Sequence, residues 1–278
     1  MIIVAILKHV AGKSADYGAA LDYLKYEHDE VLKRPLLDAN GNWVLRRDIL
    51  LEGINCEPEL FDVECEMLNA QYHKNQNYDE IKTHHYLISF DPADKDECGL
   101  TGEQAQAIGM EYVKANFPGH QALVCTHMDG HNGSGNIHVH IVINSLRKLN
   151  VPQQPFMERP IDCKAGYKHH LTKDYLKHLQ QSLMNICMRE SLNQVDLLSP
   201  SVNKITQQEY YAKQRGQINL DKLNAELVAE GFTPMKTKFQ TEKDKLRDAI
   251  TAAAKKAKSF EEFCRLLQTE SNILVKDH

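Results

Sequence analysis

Cys125 to Arg147 reads CTHMDGHNGSGNIHVHIVINSLR, and the reading of this stretch decides the fold. Its second half alternates: Ile137, Val139, Ile141 and Ile143 fall on one face of a strand, while His138, His140, Val142 and Asn144 fall on the other. The apolar face demands a core, and the opposite face carries two imidazoles pointing the same way. The first half, Ala122 to Asp129, reads as another strand in which His127 and Asp129 share a face. Gly130 to Gly135 lies between them as a flexible turn. Pairing the two halves in a hairpin brings His127 near His138 and His140. Three neutral imidazoles leave coordination positions open, as a catalytic cation requires. An ionised Asp129 can accept a proton from a ligating imidazole and fix its tautomer. The plain alternative is a set of structural histidines, and the combination of HxD upstream with HxH on one strand face argues against it.

The whole chain has 278 residues, enough for one large or two smaller domains, and an apolar content of 42% ordinary for a globular protein. No run of 18 apolar residues occurs, so no transmembrane helix and no membrane insertion are expected. The apolar start MIIVAILKHV lacks a basic leader and reads as a first strand, over residues 2–8, instead of a signal peptide. Seven scattered cysteines without a CxxC fit reduced thiols and a cytoplasmic location. A net charge of −5 argues against a general nucleic-acid coat protein, but leaves room for a local basic patch helped by a cation.

In chain order, Ser14 to about Lys25 reads as a helix, capped by Ser14 and carrying the stripe Tyr17, Ala20, Leu21 and Leu24. Tyr23 and Tyr26 share a face there, with Tyr17 well round from them. A short strand is expected near Trp43 to Leu51, a helix from Glu57 to about Asn75, and a strand from Lys82 to Phe90 with Tyr86, Ile88 and Phe90 on one face and His85, Leu87 and Ser89 on the other. Thr101 and Gln104 form a capping-box pattern for a helix to about Asn116. Arg147, Lys148, Lys164, Lys168, His169 and His170, with Tyr167 among them, suit phosphate contacts or a solvated loop equally. A long helix over 171–193 is expected to pack on the sheet. After a connector at 194–201 come helices near 206–215, 219–230, 241–257 and 260–269, with breaks at Gly216, Gly231 and Ser259. Their run of lysines is either a basic surface or an ordinary solvated face, and the final SNILVKDH reads as a strand cut short, as in a fragment of a longer protein. The fold class is therefore α+β, a central antiparallel sheet with flanking helices and a C-terminal helical extension.

Three segments resemble the motifs of P-class mobilization relaxases, members of the HUH endonucleases. ALDYLKYEHDE (20–30) resembles the first motif, best matched at Tyr23, with Tyr26 one helical turn away as the alternative nucleophile. HYLISF (85–90) resembles the second, giving Ser89 as a residue touching DNA near the cleavage site and His85 as a weaker DNA contact. HxD followed by NIHVHIVIN resembles the third, giving His127, His138 and His140 as metal ligands with Asp129 in support, and leaving His131 as a further ligand, a loop residue or a DNA contact. The resemblance covers about residues 1–200, the expected nuclease domain. It implies a five-stranded sheet of palm type, and residues 201–278 as a DNA-clamping extension continuing into a longer protein.

The implied activity is strand-specific nicking and religation at a transfer origin through a 5′-phosphotyrosine, initiating conjugative transfer. The cofactor implied is a divalent metal ion, manganese or magnesium. The implied partners are single-stranded or locally melted origin DNA with an adjacent hairpin, an accessory relaxosome protein and a type IV secretion coupling protein. Arg147, Lys148, Lys164 and Lys168 are the expected DNA-binding cations. The alternatives are a replication initiator or transposase of HUH type, a hydrolytic metal phosphodiesterase, and a DNA-binding accessory protein without chemistry. The tyrosine upstream of HxH favours the relaxase.

Overall fold

The computed structural model describes residues 6–13, 16–29, 34–128, 136–194, 196–199 and 207–276. The chain divides into two compact units, Met1–Pro200 and Ser201–His278. The first unit contains β1 (Ile6–Gly12), α1 (Gly18–Lys25), β2 (His28–Asp29), β3 (Arg34–Pro35), β4 (Ile49–Ile54), α2 (Phe61–Tyr72), β5 (Thr83–Ser89), α3 (Pro92–Glu97), α4 (Gly102–Asn116), β6 (His120–His127), β7 (His138–Arg147) and α5 (Lys173–Arg189). The second contains α6 (Gln207–Ala229), α7 (Glu242–Lys256) and α8 (Phe260–Ser271).

Five strands form one sheet in the order β1-β5-β7-β6-β4, with every neighbouring pair antiparallel. The two strands of the opening stretch are its centre. Every residue of β6 and β7 is buried, because helices cover both faces. On one face Ile137, Val139, Ile141 and Ile143 join Tyr86, Ile88 and Phe90 against α4 and α5, through Tyr112, Val113, Leu179 and Leu183. On the other, Leu123, Cys125 and Val142 meet Tyr17, Leu21 and Leu24 of α1 and Phe61 and Cys65 of α2. The histidine face of β7 is thus the α1 face, and the alternation read from the sequence is kept. α4 lies close to the sheet because Gly109 has no side chain. A Cβ there would sit 2.6 Å from Val139 Cγ1 and 2.9 Å from Val124 Cγ1.

Several boundaries differ from the sequence reading. α1 begins at Gly18, and the Asp16 carboxylate accepts the Ala19 N–H at 3.1 Å; the expected cap Ser14 lies outside the described residues. The strand expected at Trp43 to Leu51 is displaced to Ile49–Ile54. Trp43 and Leu45 make only isolated bridges, to Leu37 and Tyr26. The short helix α3 was not foreseen; Asp91 and Asp94 cap it reciprocally, with Pro92 in its first turn. The helices expected on either side of Gly216 are one continuous α6. Gly216 admits a neighbour instead of ending the helix, since a Cβ would lie 2.2 Å from the Phe239 ring. The last described residues, 272–276, form no strand. Within the second unit, Arg247 pairs with Glu209 at 2.6 Å, Lys213 with Asp244 at 3.1 Å and Lys256 with Glu270 at 2.6 Å, so part of the basic run is an ion-paired helix surface.

Candidate active site

Strand register builds the site. His127 lies directly opposite His138 at one end of the β6–β7 pair, and Cys125 lies opposite His140. Alternation keeps the three imidazoles on the α1 face. Their ring centroids are 5.1 Å (His127–His138), 4.5 Å (His127–His140) and 4.9 Å (His138–His140) apart. One nitrogen from each falls within 4.8 Å of the other two, and all three residues are buried. Among the described residues this is the one group of His, Cys, Asp and Glu side chains so disposed. Three converging imidazole nitrogens at that spacing can share one cation.

Hydrogen bonds aim the rings. His140 Nδ1 lies 2.8 Å from His85 Nε2, and His127 Nε2 lies 2.9 Å from the Leu24 carbonyl oxygen. His138 Nδ1 is 3.3 Å from the Asn136 carbonyl. The Leu24 contact ties the cluster to the last turn of α1, the helix that carries Tyr23. Burial lowers His85 to a pKa of about 4, with Lys8 and His9 adding to the shift, so His85 is a neutral imidazole near neutral pH.

The Tyr23 ring, half-buried, stands 5.6 Å from the His140 ring, 6.0 Å from His85 and 5.2 Å from His28. Tyr26 goes elsewhere. It ends the helix in an extended conformation and packs edge-on against Trp43 at 5.3 Å. Tyr17 is buried, accepts a hydrogen bond from Asn69 at 2.6 Å, and is pushed up to about 12 mainly by desolvation. Ser89 lies opposite His138 across the β5–β7 pair and accepts from Asn136 Nδ2 at 2.7 Å, at the rim of the cluster. Asp129 and His131 lie outside the described residues.

The cations expected to bind DNA are not brought to this site. Arg147 ends the 10-residue strand β7 opposite to the histidines, roughly 30 Å away at the usual strand rise. It is buried there beside Tyr175, Cys163 and Asp162. Lys148 pairs with Glu64 at 2.7 Å and Lys168 with Glu80 at 2.8 Å, while Lys164 is exposed in the same region. Two nearer residues were missed. His28 packs on Tyr23, and no motif marks it. Exposed Lys8 pairs with Leu87 in register, across from His140, and its place on that face was legible from the β1 alternation.

Residues 44–151 match the family of MobA/VirD2-like relaxase nuclease domains. That span contains Ser89 and the three histidines and begins after Tyr23. Two Staphylococcus aureus proteins called rlx are similar to this chain. One is 27% identical over 152 residues, covering 55% of this chain and 40% of the relative. The other is 22% identical over 216 residues, covering 78% and 52%. The chain thus spans about half or less of the length of these relatives. Solved structures of the conjugative relaxase TrwC with oriT DNA align only distantly. The metal-bound complex gives 14% identity and a TM-score of 0.36 over 96% of this chain and 98% of that one. A structure from work on vancomycin resistance transfer in Staphylococcus aureus gives 12% identity and a TM-score of 0.36 over 73% of this chain and 100% of that one. The family match and the rlx relatives agree with the mobilization relaxase resembled by the three motifs.

Proposed function

We propose that this chain is the nuclease part of a mobilization relaxase, which nicks one strand of transfer-origin DNA and joins itself to the cut end through Tyr23. The observation that carries the reading is the placement of the Tyr23 ring against a buried cluster of three convergent histidines. In this reading Tyr23 Oη attacks phosphorus, the bond from phosphorus to the 3′ oxygen breaks, and a 5′-phosphotyrosine and a free 3′-hydroxyl result. The phenolic proton leaves Oη as the bond forms, and a proton reaches the departing 3′ oxygen. The bond energy is conserved, so the strand can be rejoined by the reverse step. His127, His138 and His140 would hold a divalent cation, which would supply positive charge to the reaction of a phenol, a group of ordinary pKa about 10. The donor set is all nitrogen, which fits manganese better than magnesium, a hard ion that prefers oxygen ligands.

His85 holds the His140 ring through its nitrogen, and Ser89, with Asn136, borders the place where the phosphate would lie. Asp129 is assigned the support of His127. The helical unit after residue 200 is assigned a DNA-gripping role on its lysines, including Lys236 and Lys238. Partners follow the same reading: a melted origin strand with its neighbouring hairpin, an accessory protein and a secretion coupling protein, with this chain itself acting in the cytoplasm. No described helix is long and apolar enough to cross a membrane.

The test uses labelled single-stranded oligonucleotides tiled across candidate origin DNA. Cleavage should require manganese, stop with chelator, and be lost in His138→Ala. That variant should bind manganese far more weakly in calorimetry while keeping much of its DNA affinity. Undiminished cleavage by His138→Ala, or undiminished manganese affinity, would remove the cluster from the mechanism.

A further inference from the structure

Beyond the end of α1 the chain forms a small arm with a surface that the reaction as described leaves unused. Three segments pair in a ring. Leu36 N–H donates to the Glu27 carbonyl, Glu27 N–H to the Val44 carbonyl, and Val44 N–H to the Leu36 carbonyl, each at 2.8–3.0 Å. The turn closing the arm is held by the Asp38 carboxylate, which accepts from the Asn40 and Asn42 N–H groups at 2.8 and 2.9 Å. Arg46 fixes the arm to the helix end, with its N–H on the Lys25 carbonyl and its Nε on the Tyr26 carbonyl. The described residues of the arm, 26–29 and 34–45, are therefore held together, yet large apolar side chains there face outward: Leu37 is 59% exposed, Leu45 54% and Trp43 47%. Trp43 is the single tryptophan of the chain. It stands on edge to Tyr26, an arrangement that leaves an aromatic surface open.

We infer that Trp43, with Tyr26 and Leu45, is a stacking platform for unpaired bases of the DNA strand flanking the scissile phosphate. The inference rests on the relaxase reading above and adds to it the place where single-stranded character is recognised. Continuity with the site points to this occupant. His28 of the same arm packs on Tyr23, and Tyr26, the residue that ends α1, lies three residues on from Tyr23, a rise of about 4.5 Å. A strand whose phosphate reaches Tyr23 and which continues toward the C-terminal end of α1 meets this arm within its next nucleotides. Bases turned out of a melted duplex present flat apolar faces, and exposed aromatic rings are what single-strand-binding proteins offer them. Arg34 and Arg47 are exposed on the same arm, available for the backbone of that strand. A base-paired strand keeps its faces stacked and gains nothing here, so the platform favours melted DNA.

Because Trp43 is the only tryptophan, its fluorescence reports the contact directly. The probe is a fluorescein-labelled single-stranded oligonucleotide of origin sequence, with binding followed independently by anisotropy. Tryptophan emission, excited where tyrosine does not absorb, should be quenched as the strand binds. The same strand with abasic sites beside the cleavage position should bind without quenching. Trp43→Ala should bind roughly tenfold more weakly, within the range for one lost stacked base, and Trp43→Phe should bind nearly as the parent does. Binding with unchanged emission, or unchanged affinity in Trp43→Ala, overturns the platform and leaves the relaxase reading in place. Absence of any single-strand binding by anisotropy overturns that reading, and the platform with it.

Discussion

Three tyrosines on or beside one short helix meet three fates, and the fates follow from what each side chain touches. Tyr17 is a core residue whose hydroxyl is bonded to Asn69 and approached by Asn75 at 3.4 Å. Removing it leaves the buried Asn69 amide short of a partner, while Asn75 Nδ2 keeps Asn69 Oδ1 at 2.9 Å and Ser145 Oγ at 3.0 Å. Tyr17→Phe should therefore cost on the order of 1–2 kcal/mol of stability, read from the urea midpoint, while DNA cleavage survives. Tyr23 meets the histidines, and Tyr26 meets Trp43. The sequence motif alone left the choice between Tyr23 and Tyr26 open because the two are a turn apart on an ideal helix. The helix ends at Lys25, so Tyr26 is extended and its ring leaves the shared face. The histidine triad was legible in advance, since strand alternation and a hairpin suffice to converge the three rings. His28 was not, because its approach to Tyr23 depends on how the arm folds back.

At the scale of elements, periodicity carried the centre of the sheet and failed where tertiary contacts override local signals. β5, β6, β7, α4 and α5 follow the alternation and capping patterns closely. The arm was obscure because, in its described residues 26–29 and 34–45, the pairing is a two-residue ladder of β2 with β3 and two single bridges, too short for a repeating pattern. Gly216 misled for a related reason. A mid-helix glycine reads as a break, yet here it is the floor on which Phe239 rests. Gly109 is the same device in the first unit. Alanine there would gain about 1 kcal/mol of helix propensity, but its methyl would meet Val139 and Val124 of the central strands. Overpacking of this kind costs about 1–3 kcal/mol, so Gly109→Ala should lower the urea midpoint, whereas an alanine at a solvent-facing glycine of a helix would raise it.

At the scale of the whole molecule, a second set of buried histidines lies apart from the triad, with His84 next to His85 in β5 but on the opposite face. His84 and His120 are both buried, as is His169. His84 packs against His9 and His169, Tyr86 hydrogen-bonds His169 at 2.8 Å, and Arg147, Lys168 and Tyr175 complete the surroundings. Desolvation lowers His84 and His120 to about 3 and His169 well below its ordinary value. The sign follows directly. Above pH about 6.5 these rings are neutral in both folded and unfolded chains and cost nothing. Below it the unfolded chain takes up protons that the folded chain refuses, so stability falls as pH falls. With three such rings the loss between pH 7 and 5.5 should reach up to about 4 kcal/mol, measured as a drop in urea midpoint. A midpoint constant over that range would mean that the buried cluster accepts charge.

The central claim is that Tyr23, set beside the histidine triad, becomes joined to DNA, and the most direct measurement is the identity of the joined residue. The protein is incubated with manganese and single-stranded origin oligonucleotide, the denaturant-resistant complex is isolated, and its peptides are mapped by mass spectrometry. The account predicts a nucleotide adduct on Tyr23, absent in Tyr23→Phe and retained in Tyr26→Phe. An adduct on Tyr26, or cleavage with free ends and no adduct, would contradict it.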